Sequence, residues 1–291
     1  MRHVSSTPGQ PTGLSLGDAL KRAIAALRDA TPSPQLDAEV LLMRVCGFTR
    51  AELVTRADRA LSEEQARHLE GLVARRCGGE PVAYLTGRRE FWSMELDVSP
   101  ATLIPRPETE LLIELALASI PVGARWTVFD IGTGCGAIAL ALAKERPQCR
   151  IIASDRCVNA LQIAEGNAQK HGLSHVEFRA GHWFAPLTGE CAHIIISNPP
   201  YVRHDDPHLR DPSLRFEPAH ALMGGRDGLD GIRYLIRHAP RHLHADGWLL
   251  LEHGYEQAAS VADLMRRCGY RRIRTHRDHA ERDRATRARR P

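Results

Sequence analysis

Ile194-Ile195-Ile196 is the stretch of this chain with the least conformational choice. Three consecutive β-branched apolar residues favour an extended strand. With no polar residue alternating among them, that strand has no face to give to water. Such a strand belongs inside a sheet covered on both sides, which points to an α/β architecture with a mostly parallel sheet. It stops at Ser197-Asn198-Pro199-Pro200-Tyr201, because neither proline can donate to a ladder. The two prolines either end the strand and nothing more, or build a stiff turn with chemical use. In the second reading the Asn198 carboxamide and the bare Pro199 carbonyl offer two acceptors about one hydrogen-bond length (~2.9 Å) from a common point. Two converging acceptors suit a planar NH2 group, in an amide or an exocyclic amine. Tyr201 then either flanks a flat substrate group or shields the turn.

From Trp126 onward strands and helices alternate. Strands are expected at 127–131, 150–154, 176–179, 194–197 and 248–252, with helices at 137–144, 160–171, 232–238 and 261–268. This is a doubly wound sheet, whose ligands sit at the carboxyl ends of the strands. Gly132-Thr133-Gly134-Cys135-Gly136 lies at one such end. Its small residues either let the backbone and the N–H groups of the following helix approach a ligand, or serve packing alone. The spacing G-x-G-x-G is not the G-x-G-x-x-G of dinucleotide enzymes, and no P-loop lysine follows. Asp155 ends the second strand, where an acid accepts both ribose hydroxyls of an adenosine-type ligand or caps the next helix. Asp130 either holds the glycine loop or receives a ligand ammonium. Trp183 packs on an adenine face or fills core.

The first part of the chain reads differently. Residues 14–79 carry helical stripes such as Leu16, Leu20, Ile24 and Leu27, and the start signals Ser33-Pro34, Thr49-x-x-Glu52 and Ser62-x-x-Gln65. They predict a small helical bundle, either a partner-docking domain or a stabilising cap. Over 80–102 the alternation of Met94, Leu96 and Val98 with Glu95 and Asp97 predicts a β-hairpin linker. A Pro-bounded loop, Leu103 to Glu110, then enters a helix with Thr109 or Glu108 as its cap. The remainder, 103–291, forms the second domain.

Residues 1–13 lack the apolar run of a secretory signal and read as a flexible leader. No stretch approaches the ~18 apolar residues of a membrane span. Seven scattered cysteines with no Cys-x-x-Cys pair fit reduced thiols in the cytoplasm better than disulfides or a zinc site, so no metal is expected. From Arg266 to the end there are eleven arginines against Asp278, Glu281 and Asp283. That segment is either a basic surface for an RNA-rich partner or a solvated, partly frayed tail.

Taken together, Phe129-Asp130-Ile131-Gly132-Thr133-Gly134-Cys135-Gly136 resembles the S-adenosylmethionine loop of class I methyltransferases, and Asn198-Pro199-Pro200-Tyr201 resembles the acceptor motif of amino-methyltransferases. With Gly79-Glu80-Pro81, Gly87-x-x-Glu90-Phe91-Trp92 and Leu103-Ile104-Pro105-Arg106-Pro107-Glu108-Thr109-Glu110, the chain closely resembles the HemK-type family of peptide chain release factor glutamine methyltransferases over about residues 14–288. The resemblance implies a Rossmann-like methyltransferase sheet and methyl transfer from S-adenosylmethionine to the glutamine of the Gly-Gly-Gln motif in class I release factors. It implies that Gly132, Thr133, Gly134, Cys135, Gly136, Asp155, Trp183 and Asn198 bind or border the cofactor. Asn198, Pro199, Pro200 and Tyr201 would hold the glutamine, with Asn198 and Pro199 as the catalytic acceptors. Phe91 and Pro105-Arg106-Pro107 would wall the cleft, and the helical domain would dock the release factor. His182, His193 and Glu281 depart from the family pattern, which commonly has Asp at the first two and Gly at the third. Nucleic-acid amino-methyltransferases share the acceptor chemistry, but no separate base-recognition region is visible.

Overall fold

The isoleucine run is buried completely, at the centre of a sheet. The structure, a computed structural model, describes residues 11–291. The leader expected over 1–13 therefore lies outside the described residues except for Pro11–Gly13, which belong to a strand. The chain forms two compact units. One runs to Gly87 and takes in Pro212–Phe216; the other comprises Arg88–Asp211 and Glu217–Pro291.

The first unit contains β1 (Pro11–Ser15), α1 (Leu16–Leu27), α2 (Pro34–Cys46), α3 (Arg50–Thr55), β2 (Ala60–Ser62), α4 (Glu63–Cys77) and α5 (Val82–Thr86). Leu16, Leu27, Leu41, Leu42, Leu61 and Leu69 form its core, with Leu20 and Ile24 packed at the margin. Both capping boxes are present: Thr49 with Glu52, and Ser62 with Gln65. Ser33 stands at the start of α2 without capping it, because its hydroxyl donates to Asp37 Oδ1 instead (3.0 Å). Asp37 in turn accepts from Arg76 Nε at 2.7 Å, joining α2 to α4 through a largely buried ion pair. The unit extends beyond the expected boundary at residue 79, since α5 packs on α2 and α4.

The second unit opens with the antiparallel hairpin β3 (Arg88–Phe91) and β4 (Met94–Asp97). It continues with α6 (Glu110–Leu117), β5 (Thr127–Ile131), α7 (Ala137–Glu145), β6 (Arg150–Asp155), α8 (Val158–Lys170), β7 (Glu177–Ala180), β8 (Ala192–Ser197), α9 (Ala219–Leu222), α10 (Asp230–His238), β9 (Leu243–Glu252), α11 (Ala258–Arg267), β10 (Arg271–Arg277) and β11 (Asp283–Arg289). Among the described residues these make a seven-stranded sheet in the order β10-β11-β9-β8-β5-β6-β7. β7, β6, β5, β8 and β9 run parallel, and β11 runs antiparallel to both of its neighbours. The strand order reverses between β5 and β8, so the crevice above their carboxyl ends is where this fold places a ligand.

Phe129 shows why the two chemistry-bearing strands sit side by side. It pairs with Ile152 on one side and Ile195 on the other and is fully buried. Ala137 through Ala143 of α7 are all buried, as expected for a helix apolar on every side. The C-terminal segment is not a frayed tail. It is the ordered β10–β11 hairpin that completes the sheet, which the arginine-rich composition concealed.

Removing the Phe129 ring leaves a cavity that the two neighbouring strands cannot close. Phe129→Ala is expected to cost about 3–5 kcal/mol. Urea unfolding followed by tryptophan fluorescence measures this as a lower midpoint against the unaltered chain.

Candidate active site

A cavity of about 590 Å³ opens at the reversal point, lined by the glycine loop, the end of β6 and the turn after β8. Two buried side chains brace it from behind. The Ser197 hydroxyl, fully buried, donates to the Ile131 carbonyl at 2.6 Å and so ties the last residue of β8 to the last of β5. Asp130 Oδ2 accepts from the Thr133 hydroxyl (2.6 Å) and the Ala139 N–H (3.2 Å), fastening the glycine loop to the start of α7. Burial pushes the Asp130 carboxyl up to about 7, against the pull of those two hydrogen bonds. Of the two roles expected for Asp130, holding the loop is therefore the one its contacts describe.

Asp155 is held by backbone alone. Its Oδ2 accepts from the Gly134 N–H and its Oδ1 from the Cys157 N–H, both at 2.9 Å. Each oxygen keeps a lone pair for a further donor, and the residue lines the cavity. A Cβ added at Gly132 or Gly134 would meet nothing within 4 Å, so the loop faces open space. Gly136 differs: it does not line the cavity, and a Cβ there would stand 3.2 Å from Leu140 and Ala164. Its place in the motif is one of helix packing. Thr133 and Cys135 are buried in the lining, and burial pushes the Cys135 thiol up to about 12, which keeps it a protonated wall. Trp183 also lines the cavity while stacking on Tyr234 (5.7 Å between centroids), so it is at once wall and core margin.

Asn198, Pro199 and Pro200 line the opposite side. Asn198 Nδ2 donates to the Thr109 hydroxyl oxygen at 3.2 Å. Among the described residues nothing donates to Asn198 Oδ1 or to the Pro199 carbonyl. The structure places Tyr201 outside this lining. Its hydroxyl donates to Glu252 Oε1 at 3.1 Å, and burial pushes its phenol well above the usual range. The ring thus shields the turn, and the expected contact with a flat substrate group has no wall position to come from. Phe91 is likewise buried in the hairpin and does not reach the cavity, whereas Pro105 does.

Comparison with known proteins follows this geometry. Residues 18–87 match the family model of the PrmC N-terminal domain, and 108–211 that of the methyltransferase small domain. The chain is 48% identical over 264 residues to a release factor glutamine methyltransferase of Xylella fastidiosa (strain Temecula1), covering 90% of this chain and 96% of that protein. It is 45% identical over 267 residues to a release factor glutamine methyltransferase of Escherichia coli K12, covering 92% and 96%. A methyltransferase structure from Pyrococcus furiosus matches the fold with a TM-score of 0.52 at 17% identity, over 68% of this chain and 89% of that one.

This chain belongs to the release factor glutamine methyltransferase family.

Within that family its three departures have local explanations. Glu281 adopts φ +58° in the turn between β10 and β11, a left-handed backbone in which glycine is most at ease. His193 Nδ1 accepts from the Thr127 N–H (3.0 Å), and its ring stacks on Trp126. His182 meets Trp183 edge-on at the cavity wall.

Reading the sequence missed three supports of this methyltransferase site. Asn167, buried in α8, donates to the carbonyls of Cys135 (2.9 Å) and Asp97 (3.0 Å), joining the hairpin to the glycine loop. Glu217, also buried, accepts from the Ile104 N–H (3.1 Å) and from Arg106, ordering the proline loop. Gly228 lies against the proline turn so closely that a Cβ would stand 2.3 Å from the Tyr201 carbonyl. The cluster Gly224-Gly225-Arg226-Asp227-Gly228 carried that signal, since glycines mark close backbone approach. Of the two expected caps of α6, Thr109 stands at the N-cap position, but its side chain makes no capping bond and its hydroxyl oxygen accepts from Asn198 instead.

Asp130 also makes stability depend on pH. Its carboxyl rises from 3.8 to about 7 on folding, so between those values the unfolded chain has lost a proton that the folded chain keeps. Folding consequently weakens as pH climbs through that window. Asp130→Asn removes this contribution. Its stability relative to the parent is expected to improve by up to about 1.4 kcal/mol per pH unit from pH 4 to 7, measured by denaturant titration at each pH.

Proposed function

We propose that this protein transfers a methyl group from S-adenosylmethionine to the side-chain nitrogen of the Gly-Gly-Gln glutamine in class I peptide chain release factors. The observation carrying this reading is the pairing of two free acceptors, Asn198 Oδ1 and the Pro199 carbonyl, with a glycine loop and a carboxylate across one cavity. The relatives of this chain are named release factor glutamine methyltransferases, in keeping with that transfer.

The residues present fit the cofactor. Asp155 has two oxygens with spare lone pairs for ribose hydroxyls, the open side of Gly132 and Gly134 leaves room for the methionine portion, and Trp183 supplies an aromatic wall for adenine. When bound, the cofactor supplies an electrophilic methyl group on a sulfonium centre.

The chain's own task is to make an amide nitrogen attack. Its lone pair is delocalised into the carbonyl, and no side chain here is basic enough to deprotonate it first. Asn198 Oδ1 and the Pro199 carbonyl accept the two amide hydrogens, aim the nitrogen across the cavity and stabilise the positive charge that grows on it as the bond forms. The prolines hold that carbonyl rigid. Ser197 fixes the turn to β5, so acceptors and glycine loop share one frame. The surplus proton leaves after transfer.

The helical unit is assigned to docking the release factor, in keeping with its exposed Leu36 and Val54. We place the reaction in the cytoplasm, where the seven free thiols stay reduced.

Labelled methyl transfer tests the assignment with four acceptors: a class I release factor, its Gly-Gly-Gln to Gly-Gly-Ala variant, DNA and ribosomal RNA. Label is expected in the first alone; label in a nucleic acid instead overturns the reading. Asn198→Ala is expected to lose turnover on the release factor by about two orders of magnitude, the scale of one transition-state hydrogen-bonding group, with a smaller change in cofactor affinity.

A further inference from the structure

A carboxamide has nearly the same shape when turned half-way about its last bond, but its carbonyl and NH2 change places. Shape alone therefore does not decide which end Asn198 shows to the cavity. Only the oxygen end suits an incoming NH2 group; the nitrogen end would set donor against donor.

Thr109 is the neighbour that decides. Its hydroxyl is buried, and its oxygen receives the Asn198 Nδ2 hydrogen. A hydroxyl that accepts there must send its own proton elsewhere. Glu252, at the end of β9 and fully buried, is pulled toward its ionised form by Thr109, so the Thr109 hydroxyl stands within reach of its carboxyl group. The Tyr201 hydroxyl donates to Glu252 Oε1, while Oε2 has no close hydrogen-bond partner among the described residues. Burial pushes the Glu252 carboxyl up to about 7, against the pull of the Thr109 hydroxyl and of the positive charge of Arg284, itself anchored on Asp278. In its ionised form that group only accepts. It draws the hydroxyl hydrogens of Tyr201 and Thr109 toward itself and leaves the Thr109 oxygen free to receive Asn198.

We propose that Thr109 and Glu252 are positioning residues that set the donor–acceptor polarity of Asn198, turning its oxygen rather than its NH2 toward the substrate. This rests on the glutamine-methylation reading and adds to it what keeps the acceptor in the productive orientation. Neither residue contacts the reacting atoms in this assignment. Their effect passes through Asn198.

The test compares the full-length parent, Thr109→Val and Thr109→Ser, with steady-state methylation of a class I release factor and calorimetric titration of S-adenosylmethionine run in parallel. Valine keeps the shape and removes the hydroxyl; serine restores it. Thr109→Val is expected to lower kcat roughly tenfold or more, the effect of one misoriented hydrogen-bonding group. Its cofactor affinity should stay within about twofold, and Thr109→Ser should recover most of kcat. A valine variant with parental kcat overturns the proposal, as does a serine variant no better than valine or a kcat loss matched by the loss of cofactor affinity. Should Thr109→Val not fold, Glu252→Gln decides by the same split, because its NH2 can donate to Thr109 and reverse the chain of donors. A low kcat with intact cofactor binding supports the proposal, and any other result overturns it. If the parent protein itself leaves the release factor unlabelled, the activity assignment has failed, and this inference falls with it.

Discussion

One buried hydrogen bond, from the Ser197 hydroxyl to the Ile131 carbonyl, joins the two turns on which everything else depends. Two parallel strands at a reversal of the topology send their following loops to opposite faces of the sheet, and the crevice opens between those loops. Here the strands are tied at the last residue of each, just before one becomes the glycine loop and the other the proline turn. The distance between those turns is then a property of the sheet and not of mobile loops. A transfer between two bound groups depends on that distance, because misplacement by about 1 Å can cost two orders of magnitude in rate.

The site is braced by buried polar groups that a purely apolar core would avoid. Asp130, Asn167, Ser197, Glu217 and Glu252 are all buried, and each takes at least one hydrogen bond to or from a segment that lines the cavity or backs it. Burying such groups is costly when they are unpaired, and the raised Asp130 and Glu252 carboxyls show the cost directly. What they provide is direction, which apolar packing cannot supply. A leucine fills space, but it does not determine which way an asparagine faces.

Much of this was legible from the sequence where local chemistry and fold agree. The isoleucine run announced a doubly covered strand, the glycine loop and Asp155 fell at strand ends, and both capping boxes formed as their spacing required. The misses have a common physical origin. Thr109, Asn167, Glu217 and Glu252 act through partners 32 to 113 positions away, so no local pattern marks them. Ser33 and Thr109 look like helix caps in sequence, but the Ser33 hydroxyl goes to the Asp37 side chain of its own helix and that of Thr109 to the distant Asn198. Tyr201 belonged to the right motif and faced the other way. The arginine-rich end read as tail because its strand-forming positions, Ala285, Thr286 and Ala288, are too small and too few to stand out.

The placement of that arginine-rich hairpin bears on how the protein keeps to itself. β10 is the outermost strand on one side of the sheet, and its unpaired backbone edge could template another chain. Arg271, Arg272, Arg274 and Arg277 lie along it, all exposed, so a second copy approaching in register would bring guanidinium against guanidinium. The opposite margin, β7, carries Glu177 and Arg179 knotted with Arg150 and Glu190. Both borders of an otherwise apolar sheet are thus ionic, and each acts as a gatekeeper against lateral polymerisation.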